Sequence, residues 1–379
     1  MGLHNAGFDP AAVVERDVDC CSTIRANARG GAKAMRGWQL VEADVCNVNF
    51  KPFEDKLDLV SGGPPCQPFS LGGKHRAYED ARDMFPQAVR AVREIRPPAF
   101  IFENVKGLTR ERFRNYFEYV RLQLEHPEIG VKTTEDWTDH LARLERFHTS
   151  NKRSGLHYRV ITRVLNAADF GVPQKRERVF FVGFREDLGI KWNFPAASHS
   201  RDALLWDQSS NGTYWDRHRV SKSQRFYDSH DAAMAGNLMF APLSKPWITV
   251  RDAICDLPEP ETSKVGRGQI SAHRYQPGAR SYPGHTGSPL DEPSKALKAG
   301  VHGVPGGENM LRHPNGAVRY FTVREAARLQ TFPDDFVFIS SWSETMRQLG
   351  NAVPVSLACV VGNSVLQQLA SWRGNEKIQ

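Results

Sequence analysis

The chain has 379 residues, 40% hydrophobic and 25% charged, ordinary proportions for a globular protein with one large and one smaller domain. Its six cysteines (20, 21, 46, 66, 255 and 359) form no CxxC pair, which argues against a zinc site or disulfide framework and for a reducing cytosol. A net charge of +7 favours a polyanionic partner, while no apolar stretch approaches the roughly 20 residues that span a bilayer and the start “MGLHNAGFDP” has no signal-peptide character, so no membrane partner is expected.

In chain order, “AAVVE” (11–15) predicts a buried strand and “DCCSTIRANA” a helix after it. “LDLVSGG” (57–63) predicts a second strand, which runs into “SGGPPCQPFS”, Ser61 to Ser70. Pro64, Pro65 and Pro68 fix φ and remove backbone donors, so this stretch is neither a helix interior nor a central strand. Gly62 and Gly63 allow a tight turn, or close approach of a ligand to the backbone. Such rigidity around Cys66 is more than a packing cysteine needs. “MFPQAVRAVREIR” (84–96) has helical spacing, and “AFIFEN” (99–104) is a strand after Pro97-Pro98. “HYRVITRVLN” and “RVFFVGF” (178–184) predict further strands, an antiparallel pair at the edge of the sheet. Strands alternating with helices indicate an α/β domain with a mostly parallel sheet.

From about 186 to 290 the chain turns irregular, with Trp192, Trp206, Trp215 and Trp247 among Gly, Pro, Ser and basic residues. Between Thr262 and Leu290 there is no Asp or Glu, and Lys264, Arg267, Arg274 and Arg280 interleave with Tyr275 and Tyr282. That composition suits phosphate contact and base stacking; a solvated insertion is the plainer alternative. Helical patterning returns in “TVREAARLQTF” (322–332) and in “VPVSLACVVGNSVLQQLA” (353–370).

Ligands of open parallel sheets bind at the carboxyl ends of the strands. Glu15, Asp44, Cys66 and Glu103 all fall at such ends. A thiol with carboxylates suits hydrolysis, redox chemistry or addition. Hydrolysis by cysteine needs a paired histidine, and nothing marks His75 as that base. Redox chemistry favours a second nearby cysteine, which Cys66 lacks. An addition assisted by a carboxylic acid is left.

“GGPPCQPFS”, “ENV” (103–105), “QKRERVFFVGF” (174–184), “TVREAARLQTFP” (322–333) and “RQLGNAVP” (347–354) together resemble the cytosine-5 DNA methyltransferase family, in its order and spacing. The resemblance implies a Rossmann-like S-adenosylmethionine-dependent methyltransferase sheet with a smaller, irregular target-recognition domain. It implies catalytic residues 1–185, target recognition by 186–290, and a return to the catalytic domain over 291–379. Cys66 would attack carbon 6 of cytosine, and Glu103 would bind the base at nitrogen 3 and its exocyclic amine. Arg176 would contact the carbonyl oxygen, with Arg178 and Gln174 ordering the site. The cytosine would be flipped out of duplex DNA, and “LGGKHRAYEDARD” would close over it. For the cofactor, S-adenosylmethionine, the resemblance places Glu15 on the ribose and Asp44 with Val45 at the adenine. Pro64, Asn351 and Val353 would line the same pocket. No metal is implied.

Family members open with a strand and glycine-rich loop, approximately “DLFxGxGG”, just before the segment matched by “GLHNAGF”; this sequence begins at Met1-Gly2-Leu3. The reading expects either an upstream start, a separate polypeptide that supplies the strand, or a decayed gene. The leading expectation is a bacterial restriction–modification methyltransferase, cytoplasmic and nucleoid-associated. An RNA (tRNA) cytosine methyltransferase and a non-catalytic DNA-binding remnant are the alternatives.

Overall fold

The computed structural model describes residues 1–65, 83–150, 155–225, 234, 236, 238–260, 270–299 and 307–376. The chain divides into two compact units, one of residues 1–42, 166–176 and 195–363, the other of 43–165, 177–194 and 364–379. These boundaries differ from the three segments expected from the sequence.

In the first unit, a short helix α1 (Gly2–Asn5) precedes strand β1 (Val13–Glu15), helix α2 (Val18–Arg29) and strand β2 (Leu40–Glu42). The two strands pair in parallel, with Glu15 opposite Glu42, as a two-stranded sheet of their own. Asp17 starts α2 by accepting from the Cys20 amide at 2.9 Å, an N-cap of the usual kind. Asn27, fully buried on α2, donates to the Val337 carbonyl at 2.8 Å and accepts from the Val337 amide at 2.9 Å. One side chain thereby binds α2 to a segment 310 residues away. The helix Val323–Leu329 begins with a reciprocal cap: Thr322 Oγ1 accepts from the Glu325 amide and Glu325 Oε2 from the Thr322 amide. Its buried face joins Val250, Leu297, Phe321, Met346 and Leu349 in a second core.

The second unit holds a four-stranded sheet. Its strands are β3 (Leu59–Gly62), β4 (Ala99–Val105), β5 (Tyr158–Asn166) and, after the two-residue β6 (Gln174–Lys175) of the first unit, β7 (Glu177–Arg185). The order is β3-β4-β7-β5; β3 and β4 run parallel, β4 and β7 antiparallel. The sheet is therefore mixed, and β7 lies inside it. Helix α3 (Phe85–Ile95) follows β3, and α4 (Arg114–Glu125) and α5 (Trp137–Thr149) follow β4. Residues 99–102 of β4 are buried on both faces, which is why “AFIF” reads as an unbroken apolar run. Phe100 and Phe102 pack with Phe85, Val89 and Val92 of α3 and with Tyr116 and Val120 of α4. Each fully buried side chain of this kind contributes about 1.5–3 kcal/mol. Opposite Phe100 stands Gly183, where a Cβ would fall 2.2 Å from the phenyl ring, so the ladder closes only with glycine there.

The C-terminal helix Val355–Glu376 contributes residues to both units. Leu357, Val361, Val365 and Leu369 form a buried stripe along it at a four-residue spacing. The expectation that no apolar stretch reaches membrane-spanning length is corrected here. Trp342–Gly374 passes by length and composition, a test that the buried helix of a core also passes.

Candidate active site

Glu103 and Arg178 come together through strand register. In the β4–β7 ladder Glu103 lies opposite Phe180 and Val105 opposite Arg178, so Glu103 and Arg178 are diagonal neighbours on one face of the sheet. Arg178 Nε lies 2.8 Å from Glu103 Oε1, and the two side chains are 15% and 13% exposed. Burial pulls the pKa of Arg178 below its ordinary value, against the opposing pull of Glu103. A Cβ on Gly63 would lie 3.4 Å from Glu103 Oε2, so the residue after β3 passes close to this carboxylate.

Asn104, 6% exposed, anchors the proline loop, and nothing in the sequence marked it. Its Nδ2 donates to the Pro64 carbonyl at 2.9 Å, while its Oδ1 accepts from the Val105 amide at 2.9 Å. The proline loop is thus tethered to β4 two residues before Cys66. The Met84 amide donates to the Pro65 carbonyl at 3.0 Å. Asp83 accepts from the Phe85 amide at 3.1 Å and from the Tyr116 hydroxyl, and fixes the start of α3. Cys66 and the expected closing loop, “LGGKHRAYEDARD”, lie outside the described residues except for Asp83.

Arg176, expected on the cytosine carbonyl oxygen, is fully buried in the first unit. Its Nη1 donates to the Leu297 carbonyl at 2.9 Å, and its Nη2 to those of Gly350 and Ala352 at 2.6 and 2.9 Å. The physical reason is position: Arg178 lies within β7 on the β4 ladder, whereas Arg176 falls between β6 and β7 and serves main-chain carbonyls. Gln174 behaves like Arg176. It is fully buried, accepts from the Leu297 amide at 3.1 Å and donates to the Leu329 carbonyl at 3.3 Å.

Of the candidate cofactor residues, Glu15, Asn351 and Val353 belong to the first unit, and Asp44, Val45 and Pro64 to the second. Half-buried Glu15 ends β1, with Oε1 accepting from the Arg16 and Asp17 amides at 2.8 and 2.9 Å. Asp44 caps the single turn Val45–Asn47 by accepting from the Cys46 amide at 2.9 Å. Arg90 holds that turn from below, donating to the carbonyls of Val45 and Val48 at 2.7 and 2.9 Å. Asn351, exposed, ends the helix Trp342–Asn351, and half-buried Val353 follows in the turn before the last helix. Gln330 braces this turn, donating to the Leu349 carbonyl at 2.6 Å and accepting from the Val355 amide at 3.0 Å. A Cβ on Gly350 would fall 2.3 Å from the Ala299 nitrogen, so glycine is required for this close approach.

The architecture is that of the cytosine methyltransferase fold. It is similar to a triple mutant of Spodoptera frugiperda DNMT2 (TM-score 0.53, 15% identity, 96% of each chain covered). It is also similar to the S. pombe Dnmt2 methyltransferase (TM-score 0.50, 18% identity, 97% of this chain and 94% of that one). Residues 1–134 and 138–367 match the family C-5 cytosine-specific DNA methylase, and the chain belongs to this family of enzymes. Among its relatives, Type II methyltransferase M.Eco47II of Escherichia coli is 32% identical over 373 residues, covering 97% of this chain and 76% of the relative. M.PspPI of Psychrobacter sp. is 31% identical over the same shares, and M.NgoMIV of Neisseria gonorrhoeae 28% over 97% and 94%. These relatives give no support to a separate polypeptide as a partner.

Proposed function

We propose that this chain is the modification methyltransferase of a restriction–modification system, moving a methyl group from S-adenosylmethionine to carbon 5 of cytosine in a specific duplex DNA sequence. In a chain of this family, the observation that carries the reading is the Glu103–Arg178 pair beside the Gly63–Pro65 turn that leads to Cys66. S-adenosylmethionine supplies an electrophilic methyl group when bound. Cys66 adds its sulfur to carbon 6 of the base, which pushes electron density to carbon 5. After methylation, loss of the proton from carbon 5 and departure of the thiolate restore the aromatic ring.

Glu103 binds the ring nitrogen and exocyclic amine, and Arg178 stabilises charge at the carbonyl oxygen. This gives Arg178 the role expected of Arg176, whose three carbonyl acceptors support a structural one. A cytosine stacked in a duplex is out of reach of such a site, so the base is extruded before the addition.

The donor chemistry fits the cofactor. Glu15 and Asp44 are carboxylates at strand ends, each oriented by main-chain amides, as acceptors for ribose hydroxyls and the adenine amine. Val45 and Pro64 of the second unit, and Asn351 and Val353 of the first, are the other residues proposed for the cofactor. Residues 186–290 serve recognition; Arg274, Tyr275, Arg280 and Tyr282 are all exposed, which supports contact with phosphates and bases. Lys264 and Arg267 lie outside the described residues. A bacterial cytoplasmic location at the nucleoid follows from this reading. The test is Cys66→Ser: methyl transfer to duplex DNA should vanish, and a 5-fluorocytosine duplex should trap only the unmutated protein covalently. Near-normal turnover by the variant would sink the reading.

A further inference from the structure

Glu125 and His126 end α4, His148 lies in the last turn of α5, and His157 directly precedes β5. His126 Nε2 is 3.0 Å from His148 Nδ1, and His148 Nδ1 is 3.3 Å from Glu125 Oε2. The other nitrogen of His126, Nδ1, is 3.1 Å from His157 Nδ1. None of these residues belongs to the site described above.

Proton counting does not satisfy this cluster. His148 Nδ1 faces both His126 Nε2 and Glu125 Oε2. Protonated, it serves one of them well; unprotonated, it presents a lone pair to both. Glu125 Oε2 is buried and lacks a well-formed hydrogen bond among the described residues; the Val160 amide acts on this carboxyl, and burial pushes its pKa up to about 7. The other oxygen, Oε1, is taken by Arg121, whose charge is in turn shared with Glu118 through two further contacts. A buried carboxylate oxygen without a well-formed hydrogen bond is costly.

A small divalent cation removes the conflict. Ligand atoms about 2.0–2.1 Å from a tetrahedral ion stand about 3.3 Å apart, close to the 3.0 and 3.3 Å found here. With the lone pairs of His126 Nε2, His148 Nδ1 and Glu125 Oε2 on the ion, the His126 proton rests on Nδ1 and is donated to His157 Nδ1. That is the outer hydrogen bond that commonly orients a ligating histidine. Phe147 packs edge-on against His126, with ring centroids 5.2 Å apart, and holds the ring in place. The His148 side chain is 43% exposed, which opens the fourth position to water. The comparable cluster of Asp17, Cys20 and Glu344 carries no such case: Arg347 already bridges its two carboxylates, and burial pushes the Cys20 thiol up to about 12.

We propose that Glu125, His126 and His148 bind one divalent transition-metal ion, zinc by the match of two imidazoles and a carboxylate, and that the ion staples the end of α4 to the end of α5. The absence of paired cysteines gave no hint of it, because the ligands converge from separate helices.

The full chain, stripped with a chelator and dialysed, is titrated with zinc chloride. Bound metal is counted by elemental analysis after gel filtration, and thermal unfolding is followed with and without zinc. One zinc per chain is expected, with a rise in Tm of roughly 3–5 °C at saturation. His148→Ala should lose both the bound zinc and the rise, yet melt in chelator within about 2 °C of the wild type. Cobalt(II) gives a second readout on the unmutated chain, visible absorption of tetrahedral strength. A folded wild-type chain that binds no stoichiometric zinc, or a His148→Ala variant that binds it as the wild type does, would overturn the proposal.

Discussion

Arg178 Nε stands 2.8 Å from Glu103 Oε1 on a face of the β4–β7 ladder that admits little water. The pair is both a structural bond and the reactive centre of the proposed chemistry. Arg178→Ala should lower single-turnover methyl transfer by about 10²–10³-fold. It should also destabilise the protein by about 3–5 kcal/mol, because Glu103 is left buried without its cation. Glu103→Gln keeps the shape of the pair and should lose turnover with a smaller change in the urea midpoint. Normal turnover by either variant would count against the assignment.

Arg176 should behave in the opposite way. Arg176→Ala withdraws donors from three main-chain carbonyls and is expected to cost about 3 kcal/mol or more. The readout is the urea midpoint. A variant with wild-type stability and no turnover would return Arg176 to the base.

Asn104→Ala cuts the tether to the Pro64 carbonyl. A stability loss of about 1–2 kcal/mol is expected, with slower covalent trapping by 5-fluorocytosine duplexes and a KM for DNA close to normal. A rise in KM without slower trapping would place Asn104 in DNA binding instead.

Acid should act partly through His140. This buried histidine bonds through Nδ1 to the Tyr119 hydroxyl at 2.9 Å and through Nε2 to the Ile129 carbonyl at 2.8 Å, and burial holds its pKa below 6.5. A depressed pKa means that protonation favours the unfolded chain. The stabilisation is present above pH 6.5 and is lost as pH falls through the folded pKa. Between pH 6.5 and 5, wild type should lose stability faster than His140→Gln, by up to about 1.4 kcal/mol per pH unit. Parallel urea midpoints across that range would exclude the effect.

In the segment proposed for recognition, exposed Tyr275 and Tyr282 lie beside Arg274 and Arg280 in sequence. If these arginines meet phosphates, Arg274→Ala and Arg280→Ala should each reduce the slope of log affinity against log salt by about 0.9. An unchanged slope with altered target preference would mean base contact.

The sequence showed where β4 lies, because two prolines precede a run of apolar residues buried on both faces. It also announced the helix at Val323, through the helical patterning of “TVREAARLQTF”. It did not show that Arg178 pairs with Glu103 while Arg176 binds main-chain carbonyls. That distinction depends on an antiparallel register between strands far apart in the chain, which no local pattern encodes. The place of β7 inside the sheet was hidden for the same reason. Residues 186–290 read as irregular, yet they contain the helix Arg201–Ser209, capped by Ser200, whose buried face packs on Tyr214 and Trp215. Short helices among tryptophans carry too few turns for periodicity to reveal them. The proline loop was conspicuous, but its tether was not, since Asn104 reads as an ordinary polar residue at a strand end.

The arrangement of β4 has a consequence for how this enzyme can change. Phe102, Glu103 and Asn104 are successive residues of one strand and point to alternating faces: core, Arg178, then the proline loop. A single-residue insertion or deletion earlier in β4 would not weaken the site by degrees. It would turn the acid toward the loop and the amide toward the arginine, and would drive a polar group into the aromatic core. The spacing of these residues therefore acts as one unit, and a change of chain length is tolerated only in segments that leave this strand untouched.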